Sequence, residues 1–265
     1  MRLLFAGAAL LLLSPSVGAA DALGDARRFY NLGQFDSAER AAIEAARNPA
    51  LANSAKVVLG RIQLERYRRT PDDGELTRAR ETLLSADPLS LDPRDRIELT
   101  VGLGEALYLE DRFGVAAELF KSVMARSAVL GPGAHDRVLD WWATSVDRQA
   151  HSRPAAERAP LYEEILDRMS REIAQDPSVS AANYWLAAAA RGSGDLERAW
   201  NAAMAGWVRA VLTHDRGESV RADLDRLVTQ AIIPERAARL PVRDDRPAVA
   251  GMIGEWEAFK TAWKR

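Results

Sequence analysis

The chain has no cysteine in 265 residues. That absence excludes a disulfide scaffold, a thiolate zinc centre, a cysteine nucleophile and a lipid-modified cysteine anchor. Lysine is scarce as well: Lys56, Lys121, Lys260 and Lys264 are all there are, and the rest of the basic charge is arginine. The formal net charge is −2, so the chain as a whole is not a polyanion binder and no nucleic-acid partner is expected. Beyond residue 13 no apolar run approaches the roughly 20 residues that span a bilayer.

Constellations that carry chemistry are also missing. His135, His151 and His214 sit in separate segments, with no HExxH and no i, i+4 pair, so no zinc site is suggested. There is no GxSxG elbow, no serine with a lysine three residues on, and no GxxxxGK[ST] phosphate loop. The acid pairs Asp72-Asp73 and Asp244-Asp245 lie in proline-flanked loops without calcium-loop spacing, and read as solvated turns. The sequence therefore implies a protein without catalytic residues, cofactor or metal.

What is present is helix. Apolar residues make up 48% and charged residues 28%, an ordinary globular balance. Alanine fills about 18%, and with leucine, arginine and glutamate it favours helix over strand. The expected class is all-α.

The first twenty residues read as an address. Met1-Arg2 is a short positive start, Leu3–Leu13 is apolar or small, Ser14-Pro15-Ser16 breaks the run, and Val17-Gly18-Ala19-Ala20 suits a signal peptidase. Cleavage is expected after Ala19 or Ala20, leaving no integral membrane segment. An exported chain that dispenses with disulfides fits a bacterial periplasm best.

From residue 21 the pattern is amphipathic helices punctuated by turn residues. Five pairs are expected: Ala22–Leu32 with Asp36–Arg47, Asn53–Arg68 with Glu75–Ser85, Pro93–Glu110 with a helix from Gly114 to about Leu130, Asp136–Gln149 with Ala155–Gln175, and Ser180–Arg191 with Asp195–Leu212. Gly33 ends the first helix, Asp36 or Ser37 is the expected cap of the second, and Asp92-Pro93 reads as a cap and first helical position. One stretch alternates like a strand, with Ile97, Leu99, Val101 and Leu103 against Glu98, Thr100, Gly102 and Gly104. The length of the apolar pattern through Leu109 decides for helix.

The pairs also repeat. Phe29-Tyr30-Asn31-Leu32-Gly33-Gln34-Phe35-Asp36-Ser37-Ala38 is echoed by Leu103-Gly104-Glu105-Ala106-Leu107-Tyr108 followed by Phe113-Gly114-Val115-Ala116. Leu59-Gly60 opens another copy, and Gly194-Asp195-Leu196-Glu197-Arg198-Ala199 resembles the turn of a fifth. On these residues the chain resembles the tetratricopeptide repeat (TPR) family over roughly residues 22–212. The spacing Ala38, Ala79, Ala116, Ala199 exceeds the family's 34-residue period, so the loops are enlarged. The resemblance implies an α-α superhelix, a TPR-like solenoid of about five helix pairs over residues 21–212, with C-terminal capping helices over 213–265. Small residues (Ala26, Gly60, Gly104, Ala38, Ala116) then let paired helices approach, and Phe29, Phe113 and Phe120 fill the turns.

The resemblance further implies a protein or peptide partner in a concave groove lined by the first helix of each pair. Its positions are Leu23, Arg27, Tyr30 and Asn31, then Val57, Arg61, Leu64 and Glu65, then Glu98, Val101, Glu105, Tyr108 and Leu109. The lysine and asparagine clamp by which some family members grip a carboxyl terminus is not reproduced. Trp141 and Trp142 point about 100° apart on a helix, so they cannot share one packing face equally: either one reaches the groove, with Trp142 the candidate, or one packs within its repeat and the other against the next, while Trp185, Trp200 and Trp207 are expected in the core. The alternative function is a helical small-ligand-binding domain with a tryptophan-lined pocket. The last helix carries Met252, Ile253, Trp256, Phe259 and Trp263 as one stripe; docking back onto the fold and binding a partner are both open to it.

Overall fold

The computed structural model describes residues 17–241 and 244–264, with side chains from Asp21 onward. Every regular element among these residues is helical. Of the expected leader, residues 1–16 lie outside the described residues, and residues 17–20 begin the first helix. Two compact units form, one ending at Gly102 and the next starting at Leu103.

The first unit holds α1 (Val17–Asn31), α2 (Phe35–Ala46), α3 (Ala52–Arg69), α4 (Asp73–Leu84) and the start of α5 (Pro93–Leu109). α1 packs on α2 and α3, α2 on α3, and α3 on α4. Small side chains set these distances. Ala26, Ala38, Ala42, Ala45 and Ala55 are fully buried around Leu23, Val58 and Ile62. A β-carbon on Gly60 would come within 2.5 Å of the Leu83 side chain, so the Leu-Gly pair read from the sequence is a close helix crossing.

The turns follow their chemistry. Gly33 takes the left-handed conformation (φ +69°) and lets the amides of Gly33 and Gln34 close back on Tyr30 and Phe29. Asp72 accepts from the Gly74 amide at 2.9 Å, and Asp92 from the Asp95 amide at 2.7 Å. One expectation is corrected: α2 starts at Phe35, its cap is Gln34 without a side-chain bond, and Asp36 instead reaches Arg66 at 3.1 Å.

The strand-like stretch is helical, within α5. Ile97, Glu98, Leu99 and Val101 are all buried. The less buried positions, Arg96, Thr100, Leu103 and Leu107, recur every three to four residues as on a helix, but two of them are leucine while Glu98 and Glu105 are buried, so polarity does not follow the helical period.

The second unit contains the rest of α5, then α6 (Phe113–Val123), α7 (Ala134–His151), α8 (Ala155–Gln175), α9 (Ser180–Gly192), α10 (Leu196–Arg209), α11 (Glu218–Leu227), α12 (Ile233–Ala238) and α13 (Arg246–Ala262). α7 packs on α8 and α9, α9 on α10 and α11, and α12 on α13. So α7, α9 and α11 adjoin in series. Gly104 and Gly192 are crossing points, where an added β-carbon would meet Phe120 at 2.8 Å and Tyr162 at 2.2 Å.

Two departures from plain helix have local causes. Met124–Leu130 tightens into a 3-10 helix, with the Met124 carbonyl taken up by the Ser127 hydroxyl at 2.7 Å and His135 Nδ1 at 3.1 Å. Val228–Ile232 widens into a π-helix just before Pro234, whose ring carries no N–H and crowds the preceding turn.

α13 is seated on the unit through Trp256, which has no exposed surface. Its ring lies 5.8 Å from Trp200, 5.5 Å from Trp207 and 5.8 Å from Phe259. Its indole N–H donates to Asp225 at 2.8 Å. Ile253 on the same helix and Trp263 just past its end are exposed.

Candidate functional site

The first unit brings five of the groove candidates together. Arg27 on α1 bonds Asp95 and lies 3.8 Å from Glu98. Arg61 on α3 approaches Glu98 at 3.5 Å and covers the Tyr30 ring at 4.8 Å. Tyr30 donates to Glu65 at 3.5 Å, and Glu65 also pairs with Arg68 at 2.9 Å. Arg94, which the sequence did not single out, completes the set at 2.9 Å from Glu98. Asp95 and Glu98 are buried, and buried carboxylates need such partners. This face spends its charges on itself. Asn31 is exposed at the end of α1, while Leu23, Val57, Leu64 and Val101, which the groove pattern also included, belong to the core.

In the second unit the remaining candidates are mostly inside. Trp142 is 2% exposed and Glu105 4% exposed. Trp142 is therefore a core residue and offers no surface to a partner. Its neighbour Trp141 is half-buried, edge-on to Tyr108 at 4.9 Å and stacked near Phe120 at 6.0 Å. Tyr108 also meets Phe113 at 5.3 Å. Trp185 and Trp200 are buried as expected, and Trp207 is half-buried.

The second unit also carries a cleft of about 490 Å³ that the sequence reading missed. α7 contributes Asp136, Arg137, Asp140, Thr144, Asp147 and Arg148; α9 adds Tyr184 and Trp185; α11 adds Ser219 and Asp223. The signal was present: Asp136, Asp140, Thr144 and Asp147 fall at helical spacing, and the buried Val138, Leu139, Trp142 and Val146 occupy the other face of α7. Asp140 is reachable by solvent but ringed by protein, and accepts from the Trp185 indole at 2.8 Å. That crowding raises its carboxyl pKa despite the indole bond, and Asp136 and Asp223 add repulsion. Crowding likewise raises the Tyr184 phenol. Asp136 accepts from the Ala181 amide at 2.8 Å.

Among the described residues no three His, Asp or Glu side chains form a group able to hold a metal ion, and no helix is long and apolar enough to cross a membrane. The cleft presents an aromatic wall, several carboxylates and an open rim, and its Ser219 side chain is bonded to the Asp215 carboxylate. No family model, no curated protein and no solved structure matches this chain.

Proposed function

We propose that this protein is a non-enzymatic, TPR-like scaffold of the bacterial periplasm that binds a protein or peptide partner on the face lined by α7, α9 and α11. The observation that carries this reading is the serial packing of α7, α9 and α11 around one polar cleft. Alternating helices line such a face when helix pairs stack. Support for the repeat architecture comes from the close crossings at Gly60 and Gly104 and the buried alanines Ala38 and Ala116. Support for a polypeptide over a small ligand comes from the cleft's form. Its rim residues Arg137, Arg148, Ser219 and Asp223 are exposed, and a single tryptophan lines it.

A photo-crosslinking residue at Thr144, with a control at the exposed Arg171 on α8, tests the reading in intact cells. A polypeptide captured from Thr144 and not from residue 171 is the expected result. A metabolite that raises the melting temperature, with no polypeptide captured, would replace this reading with the small-ligand one. Fusing residues 1–25 to an enzyme active only after export tests the compartment; an inactive fusion would refute it.

A further inference from the structure

The two faces differ in how their acids are met. In the first unit Asp95 and Glu98 face arginines. In the cleft, Asp136 is held by a backbone amide and Asp140 by an indole, both neutral donors. Asp147 accepts from the Tyr162 hydroxyl at 3.1 Å and has His151 at 3.4 Å. Asp223 pairs with Arg226 at 3.4 Å one turn along its own helix, an exposed contact of small value. With Arg137 and Arg148 counted, the lining keeps an excess of negative charge in a concave space, where the field is focused. Tyr184 supplies the half-buried wall, with the buried Trp185 edge to face behind it at 5.4 Å, and a tyrosine ring attracts cations.

We propose that the cleft takes an extended segment of the partner bearing lysine or arginine side chains, an inference that rests on the peptide-binding reading above. Spacing favours a segment over a small cation. At about 1.5 Å per residue, Asp136 and Asp140 are separated by about 6 Å along α7, and Asp147 lies about 10 Å further. An extended chain places same-side residues about 6.6 Å apart. Basic residues at i and i+2 therefore reach Asp136 and Asp140, and a third further along reaches Asp147. Asp223 on α11 adds a carboxylate from another wall.

The test uses the purified full chain and fluorescence anisotropy. The probes are a fluorescein-labelled alternating lysine–alanine hexapeptide and its glutamate–alanine counterpart, with spermidine as competitor. The lysine peptide should bind, the glutamate peptide should not, and salt should weaken binding. The double variant Asp140→Asn, Asp223→Asn should bind about tenfold more weakly or worse. Asp140→Asn alone should melt no lower than the parent, because it removes a carboxylate whose charged form the fold disfavours; this separates a binding role from a structural one. Equal binding of the glutamate peptide, or unchanged binding by the double variant, would overturn the proposal. So would spermidine competing at the peptide's own concentrations. If neither peptide binds while Thr144 captures a polypeptide, the cationic segment is refuted and the peptide-binding reading stands. If spermidine binds and no polypeptide is captured, both fall.

Discussion

Replacing Trp256 with alanine should release α13 from the second unit. Trp256 has no exposed surface, three aromatic neighbours within 6 Å and a hydrogen bond to Asp225. Truncating a core tryptophan costs about 3–5 kcal/mol, a figure that already contains the ring contacts. The cost has a ceiling, however. α13 meets the unit through α12 and through the rings around Trp256, and once those contacts are released no further stability is lost. Taking about 3 kcal/mol per molar urea for a chain of this size, the full cost corresponds to a midpoint shift of about 1–1.7 M. An undocked α13 gives a smaller shift together with loss of amide protection over residues 246–262. Trp256→Phe keeps most of the packing and loses the indole donor; Asp225 retains Lys260 at 2.6 Å, so its cost should be roughly half. Urea titration followed by circular dichroism, beside hydrogen exchange, reads both effects. An unmoved midpoint with unchanged protection of α13 would refute the seating of this helix.

Three further perturbations test other parts of the fold. Gly192→Ala drives a β-carbon into the buried Tyr162 ring and should cost about 1–3 kcal/mol, read as a lower melting temperature. Glu98→Gln leaves Arg27, Arg61 and Arg94 one carboxylate short and should cost about 3 kcal/mol; a neutral effect on melting would show that the network is not structural. Asp215 is held well below the ordinary carboxylate range, first by Ser219 and also by the Thr213 hydroxyl and the Gly217 amide. A lowered folded pKa gives stability that is present above about pH 4 and is lost as the pH falls further. Asp215→Asn should therefore be less stable at neutral pH, with a flatter melting profile from about pH 5 to about pH 2.5.

Most helix ends were legible because punctuation residues act locally. Gly33, Asp92-Pro93 and Asp195 each satisfy an end with their own backbone or side chain, whereas Asp72-Asp73, read as a solvated turn, proves to be the cap and first residue of α4. The 3-10 stretch at Met124 was not legible, because the Met124 carbonyl is taken up by His135, eleven residues on, as well as by the nearby Ser127 hydroxyl. The site was harder. Listing polar residues on the first helices found Arg27, Tyr30, Arg61, Glu65 and Glu98, and they do converge. What a single sequence did not reveal is whether converging charges satisfy one another. Trp142 misled for a related reason: of two adjacent tryptophans, which one turns inward depends on the phase of α7, fixed by Val138, Leu139 and Val146.

The scarcity of lysine acquires a physical meaning from these contacts. A guanidinium is a planar fork that can engage two carboxylates at once, and an ammonium is a point charge. Arg66 spans Asp36 and Glu39, at 3.1 and 2.6 Å, and these acids raise its pKa. Arg94 touches Asp95 and Glu98 on its own helix, Arg27 reaches the same two acids from α1, and Arg191 on α9 reaches Glu235 on α12. Lys260 stands between Asp225 and Glu257, and Lys121 on α6 pairs with Glu164 on α8. Arginine thus couples acids between helices in a chain that has no disulfide to do so. Against that background the acids of the α7–α9–α11 cleft differ in kind. Asp136 and Asp140 are met by neutral donors although arginines stand at the same rim. Asp95 and Glu98, enclosed on the face of the first unit, are given arginine partners; Asp136 and Asp140, met by an amide and an indole in an open cleft, keep their attraction for a cation from outside.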